Sequence, residues 1–193
     1  MSAWYGASRK RAEIRYLSAK LPGHPVIRRC AAGDAQEILG VINHAATAYR
    51  GVIPAERWKE PYMPAGELQE EIAAGVQFWA WVQDGRIGGV MGLQSVGDVA
   101  LIRHAYTRPG HQGKGIGTSL LHHLVSQADR PVLVGTWKAA TWAIRFYLGR
   151  NFILVSEQEK AGLLRRYWTV SERQIEESVV LRLSARPAAS PSR

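Results

Sequence analysis

The sequence predicts an α/β fold with one mixed, mostly antiparallel sheet flanked by helices. Three observations predict it. Strand-like and helix-like segments alternate through residues 25–183. Asp84 and Gly85 join two apolar runs as a two-residue hairpin turn, which makes the front half antiparallel. A glycine-rich turn at 112–117 then carries the chain from a β-prone run directly into a helical one.

Each element has its own signal. Residues 26–30 read as a first strand. Asp34 suits an N-cap for a helix through Ala48, with Ile38, Val41, Ile42 and Ala45 on one face. Residues 49–63 are irregular, and a second helix spans about 65–74. Strands at 76–82 and 86–94 flank the hairpin turn. Gly97 and Asp98 turn the chain into a strand over 99–107, closed by Pro109 and Gly110. Ile116, Leu120, Leu121, Leu124 and Val125 recur at three- and four-residue spacing, defining a helix over 115–128. A short apolar strand at 131–136, a helix at 139–148 and a strand at 152–156 follow. Ser156 and Glu159 have capping-box spacing for a short helix ending near Arg165. Residues 178–183 alternate apolar and polar side chains as a last strand.

Composition narrows the class. A chain of 193 residues, 46% hydrophobic, suits one domain with an ample core. The single cysteine, Cys30, excludes an intramolecular disulfide and a cysteine-based zinc site, and fits a cytoplasmic setting. No apolar run is long enough to span a membrane. The net charge of +9 suggests nucleic acid until it is located. Residues 1–24 carry Arg9, Lys10, Arg11, Arg15 and Lys20 against Glu13 alone, and residues 184–193 add Arg186 and Arg193 without an acid. Both flanks read as solvated extensions, the first disordered or a short helix and the second disordered. A nucleic-acid role for the basic arm stays an alternative. His122 and His123 sit on a helix without partner spacing, so no metal is expected.

The 112–117 turn carries the chemistry. A strand-to-helix turn leaves the first N–H groups of the helix unpaired, glycine lets a ligand approach the main chain, and the positive helix end favours an anion such as a pyrophosphate. It is not a Walker A loop, because Lys114 is followed by Gly115, and not a dinucleotide turn, because Thr118 stands where a third glycine is required. Gln112, Gly115 and Gly117 instead meet Gln/Arg-x-x-Gly-x-Gly. That pattern resembles the acetyl-CoA-binding turn of the GCN5-related N-acetyltransferase (GNAT) superfamily, and the order of elements over 25–183 matches its fold. Residues 143–152 add a second resemblance, with Ala143, Phe146, Tyr147 and Phe152 in the family's pattern.

The resemblance implies a GNAT-type sheet whose central strands splay to form a CoA cleft. Main-chain groups of Ala105, Tyr106 and Thr107 would pair with pantetheine. Gln112, Gly113, Lys114, Gly115, Ile116, Gly117 and Thr118 would hold the pyrophosphate of acetyl-CoA, the co-substrate, with Arg108 near phosphates. Tyr147 matches the tyrosine that protonates the departing thiolate; a packed aromatic beside Phe146 is the alternative. Two residues depart from the pattern: Ala140 stands for an asparagine, and Asn151 replaces a glycine that adopts the left-handed conformation. The family's strand base aligns near Leu101 and Arg103, neither of them basic in the required sense. His104 is the remaining candidate, although strand alternation turns it to the opposite face unless a bulge intervenes. Glu70 and Glu71 read as solvated.

An acceptor pocket is expected from Tyr49, Arg50, Trp58, Tyr62, Phe78, Trp79, Trp81 and Trp168, with Arg50, Glu172 or Glu176 available to a charged substrate group. The same aromatics alternatively form core and a homodimer surface. The implied activity is acetyl transfer to a small-molecule primary amine. A protein N-terminus or lysine as acceptor, and a silent acyl-CoA-binding module, are the alternatives.

Overall fold

A computed structural model describes residues 23–184 of the chain. The expected extensions at 1–24 and 184–193 therefore lie almost wholly outside the described residues. The elements are β1 (Val26–Arg29), α1 (Ala35–Ala46), α2 (Ala65–Ala73), β2 (Gln77–Gln83), β3 (Arg86–Val96), β4 (Val99–Thr107), α3 (Ile116–Gln127), β5 (Val132–Trp137), α4 (Thr141–Leu148), β6 (Phe152–Leu154), α5 (Glu157–Tyr167), α6 (Glu172–Glu176) and β7 (Ser178–Leu183).

Seven strands form one sheet in the order β1-β2-β3-β4-β5-β7-β6. Every neighbouring pair is antiparallel except β4 and β5. Alternation along the strands divides the core. Met91, Ala100, Ile102, Val132 and Val134 meet Ile116, Leu120, Leu121 and Leu124 of α3 on one face, where Tyr147 of α4 and Phe152 join them. On the opposite face, Phe78, Ala80, Val82 and Val90 meet Ile38, Val41 and Ile42 of α1 and Leu68 of α2. Leu101, Leu133 and Val180 continue that face under α5 and α6.

Local chemistry departs from expectation at two element ends. The Asp34 side chain makes no cap bond to α1. It accepts the Ala31 N–H at 2.7 Å and a two-pronged Arg28 contact, which hold its carboxyl down at about 2. Helix α6 was not expected, although Ser171 caps it through the Gln174 N–H, the signal that Ser156 gives for α5. Asn151 takes the left-handed conformation at φ 62°, as its position requires.

Two irregularities of β4 position everything that follows. It pairs with β5 only through Ala100–Val132, Leu101–Leu133 and Ile102–Val134, and beyond these the two strands part. Against β3, Val90 faces Tyr106 and Gly92 faces Arg103, so His104 and Ala105 together oppose Met91 as a β-bulge. His104 bears the bulge at φ 49°, a region histidine enters more readily than most residues.

The surroundings fix this conformation. The imidazole stacks on Phe78 with centroids 5.6 Å apart, and its Nε2 lies 3.2 Å from Glu71 Oε2. Arg103 Nη2 donates to both Glu71 oxygens at 2.7 and 2.8 Å, and its Nη1 donates to Gln94 at 2.7 Å. Glu71 is thus a half-buried member of a network and not the solvated side chain expected from sequence. Burial pushes its carboxyl up, but His104 and Arg103 outweigh burial and hold it below its ordinary value.

Two stability measurements test this frame. A Cβ on Gly92 would sit 2.7 Å from Val76 Cγ1 and 3.1 Å from the Arg103 carbonyl oxygen. Gly92→Val should therefore cost about 1–3 kcal/mol in urea unfolding. A depressed carboxyl stabilises the fold above its unfolded-state pKa, and that contribution is lost as pH falls through the folded value. Glu71→Gln should accordingly melt below wild type at pH 7, with the gap narrowing in thermal scans as pH falls below the ordinary glutamate range.

Candidate active site

The parting of β4 and β5 opens two chambers that share a wall. The first is a cleft of about 430 Å³ bounded by the Ala105–Thr107 stretch, the 111–118 turn and one face of α4. The second is a smaller chamber of about 170 Å³ between the splayed strand ends, walled by Tyr49, Tyr62, Trp137 and Trp168. Tyr147, Tyr106, Tyr49, Ala105 and Ala143 line both.

The cleft is shaped by glycine. Gly113 and Gly115 hold φ values of 76° and 81°, and Gly115 stands as the N-cap of α3 without any side-chain cap bond. The first N–H groups of α3 are thus left to a ligand. Gly117 admits the neighbouring helix, since a Cβ there would lie 3.3 Å from the Phe146 ring. The structure brings Ala105, Tyr106, Thr107, Gln112, Gly113, Gly115, Ile116, Gly117 and Thr118 together on this wall. Lys114 is exposed on the turn. Arg108 is turned away: its Nε donates to the Ile87 carbonyl at 2.8 Å and its guanidinium packs over Gly40 of α1.

Tyr147 is 4% exposed and packs edge-on against Phe146 and Phe152. Burial, seconded by the nearby Tyr49 phenol, raises its pKa well above the ordinary phenol value, so it holds its proton. Burial also pushes Tyr49 up to about 12, with Tyr62 adding to it and the Thr136 hydroxyl opposing. Tyr49, Tyr62 and Tyr106 contact one another with centroids 6.0–6.5 Å apart.

The small chamber widens into a vestibule of about 860 Å³ that His104, Trp137 and Trp168 share with it. The bulge thus brings His104 to the side of the small chamber, where regular alternation would not. The vestibule is lined by side chains of both signs, including Arg57, Lys59, Glu67, Glu70 and Glu71.

Several expected pocket residues lie elsewhere. Trp79 and Trp81 project to the α3 face, where Trp79 meets His123 at 4.4 Å and Trp81 covers Gly88. Phe78 is buried against His104 and does not line the chamber. Arg50 pairs with Glu60, lies 5.3 Å over the Trp58 ring and is not among the residues that line the chambers. Glu172 binds Arg165 at the surface, and Glu176 is exposed. Trp137, Trp142 and Arg150 line the chambers without having been foreseen, whereas Gln174 comes from the 168–177 segment that was expected to help build the pocket. Parity along β5 and the four-residue spacing on α4 are the signals that could have found the tryptophans and Arg150.

Comparisons with known proteins agree with this geometry. No curated protein sequence matches the chain. Solved structures do. The PaiA N-acetyltransferase of Thermoplasma acidophilum, in complex with coenzyme A, superposes with a TM-score of 0.63 at 16% identity, covering 83% of this chain and 99% of that one. A GNAT-family acetyltransferase of Staphylococcus aureus gives 0.62 at 15% identity over 83% and 99%. The ribosomal-protein-S18-alanine N-acetyltransferase of Escherichia coli gives 0.59 at 14% identity over 86% and 98%. At such identities the likeness speaks for the fold. Residues 38–152, more than half of the chain, match the acetyltransferase (GNAT) family itself. With the splayed strands, the bulge and the glycine turn in place, this chain belongs to the GNAT acetyltransferase family.

Proposed function

We propose that the protein transfers an acetyl group from acetyl-CoA to a neutral primary amine of a small molecule, directly, in a ternary complex. The observation that carries this reading is Tyr147, a buried phenol in the wall common to two chambers, one suited to a donor and one to an acceptor.

The donor cleft suits a CoA thioester on its own geometry. Two left-handed glycines and the uncapped start of α3 present main-chain N–H groups to a pyrophosphate. The stretch Ala105, Tyr106 and Thr107, which has no partner on its β5 side, offers peptide groups to the pantetheine amides. When bound, acetyl-CoA supplies an activated acyl group. Tyr147 then delivers a proton to the departing sulfur. His104 takes a proton from the incoming amine, directly or through a water, with Glu71 orienting the imidazole. The lining of the small chamber holds no Asp, Glu, Lys or Arg side chain, which favours an uncharged amine over an ammonium. A peptide amine is a second reading, favoured by the size and mixed charge of the vestibule.

Tyr147→Phe should lower kcat by about 10²-fold while leaving acetyl-CoA affinity within a factor of about two, measured by thiol release and calorimetry. Unchanged turnover would remove the acid role. His104→Ala should slow the reaction most near neutrality, and its deficit should shrink above the pKa of the amine, where no base is needed. A deficit constant across pH assigns His104 to structure alone. Running both assays on a panel of small amines and short peptides separates the two acceptor classes.

A further inference from the structure

We propose that Arg150 forms a phosphate-binding subsite on the outer part of the donor cleft and takes a phosphate of the CoA nucleotide. This rests on the reading of that cleft as the donor site. Trp142, Phe146 and Arg150 follow one another at four-residue spacing on α4 and the turn that ends it, and all three line the cleft. Trp142 is 39% exposed at the start of this row, and Arg150 stands at its end.

The setting of Arg150 is what points to an anion. Its Nε and Nη2 donate to Thr118 Oγ1 at 2.9 and 2.6 Å, its Nη1 donates to the Phe146 carbonyl at 2.6 Å, and the guanidinium lies 3.9 Å over the Phe146 ring. Every one of these partners is neutral. No carboxylate lies within 4.0 Å of it among the described residues, whereas Arg28, Arg50, Arg103, Arg130, Arg165, Arg166, Arg173 and Arg182 each have one. A half-buried cation without a counter-charge is costly unless a ligand completes it.

The end of α4 accounts for one of its bonds, through the Phe146 carbonyl. Three of the five guanidinium N–H groups are engaged, so two remain. The ring beneath and Thr118 beside it hold the planar fork in place before a ligand arrives, so binding a phosphate orders little. Thr118 belongs to the first turn of α3, which sets the fork next to the glycine turn. Arg108, by contrast, is fastened to Ile87 on the far side of that turn.

CoA offers two phosphate sources, the diphosphate bridge and the ribose 3′-phosphate. Calorimetric titration of wild type, Arg150→Gln and Arg150→Lys with CoA and with 3′-dephospho-CoA distinguishes them. Arg150→Gln should weaken CoA binding by about tenfold or more, with a smaller loss for the lysine variant. If Arg150 takes the 3′-phosphate, the glutamine variant binds dephospho-CoA as wild type does. If it takes the diphosphate, both ligands weaken together. Wild-type affinity of Arg150→Gln for both ligands overturns the inference. Melting temperatures without ligand show that the variants are folded, and should the glutamine variant fail to fold, the lysine variant decides by the same comparison. A wild-type protein that binds CoA in neither form overturns the donor reading itself.

Discussion

The parallel ladder between β4 and β5 ends at Ile102 and Val134, and the site exists because it ends there. Beyond that point the peptide groups of both strands face a gap instead of each other, and buried peptide groups demand partners. The molecule fills the gap asymmetrically. On one side the 112–117 turn and α4 leave a cleft lined by main chain and aromatic rings. On the other, Trp168 folds back over β5, where a Cβ on Gly135 would lie 3.4 Å from its indole. The bulge at His104 belongs to the same departure, since it re-aims the outer half of β4 just after the ladder is lost.

Burial acts oppositely on the two kinds of acid around this gap. The phenols of Tyr49, Tyr106 and Tyr147 are pushed up because burial meets no cation that would favour their ionised form. The Glu71 carboxyl is also opposed by burial, yet Arg103 and His104 reverse the balance and keep it ionised. The interior thus sorts neutral proton donors to the junction of the chambers and a fixed negative charge behind the histidine. No residue type alone would specify that division; the neighbours do.

Every strand from β1 to β7 and every α-helix except α6 is legible in the sequence, because hydrophobic periodicity and turn residues are local signals. Element ends moved by no more than two residues, as fraying and caps dictate. The family match and the solved structures uphold the fold expected from the glycine turn and the Phe146–Tyr147 pair. What escaped depended on distance. Glu71 looks solvated until α2 is laid over β4, thirty residues later in the chain. Trp79 and Trp81 were grouped with Phe78, although neighbouring positions of a strand face opposite sides and all three cannot share one pocket. A bulge adds one residue to a strand, so the orientation of His104 cannot follow from counting alone.

The sheet order has a consequence for the history of each molecule. β7 is the last strand among the described residues, yet it lies between β5 and β6, pairing with both over Ser178–Leu183. Until those residues leave the ribosome, β5 has an open edge and β6 has no neighbour at all. Trp137, at the end of β5, pairs only with Ser178 and so lacks its partner until then. The front half of the sheet can assemble from hairpins as it emerges, whereas the small chamber waits for the closing strand. Synthesis therefore yields the glycine-lined cleft before the small chamber is walled, and a chain stopped short of β7 would display unpaired strand edges of the kind that quality-control chaperones retain.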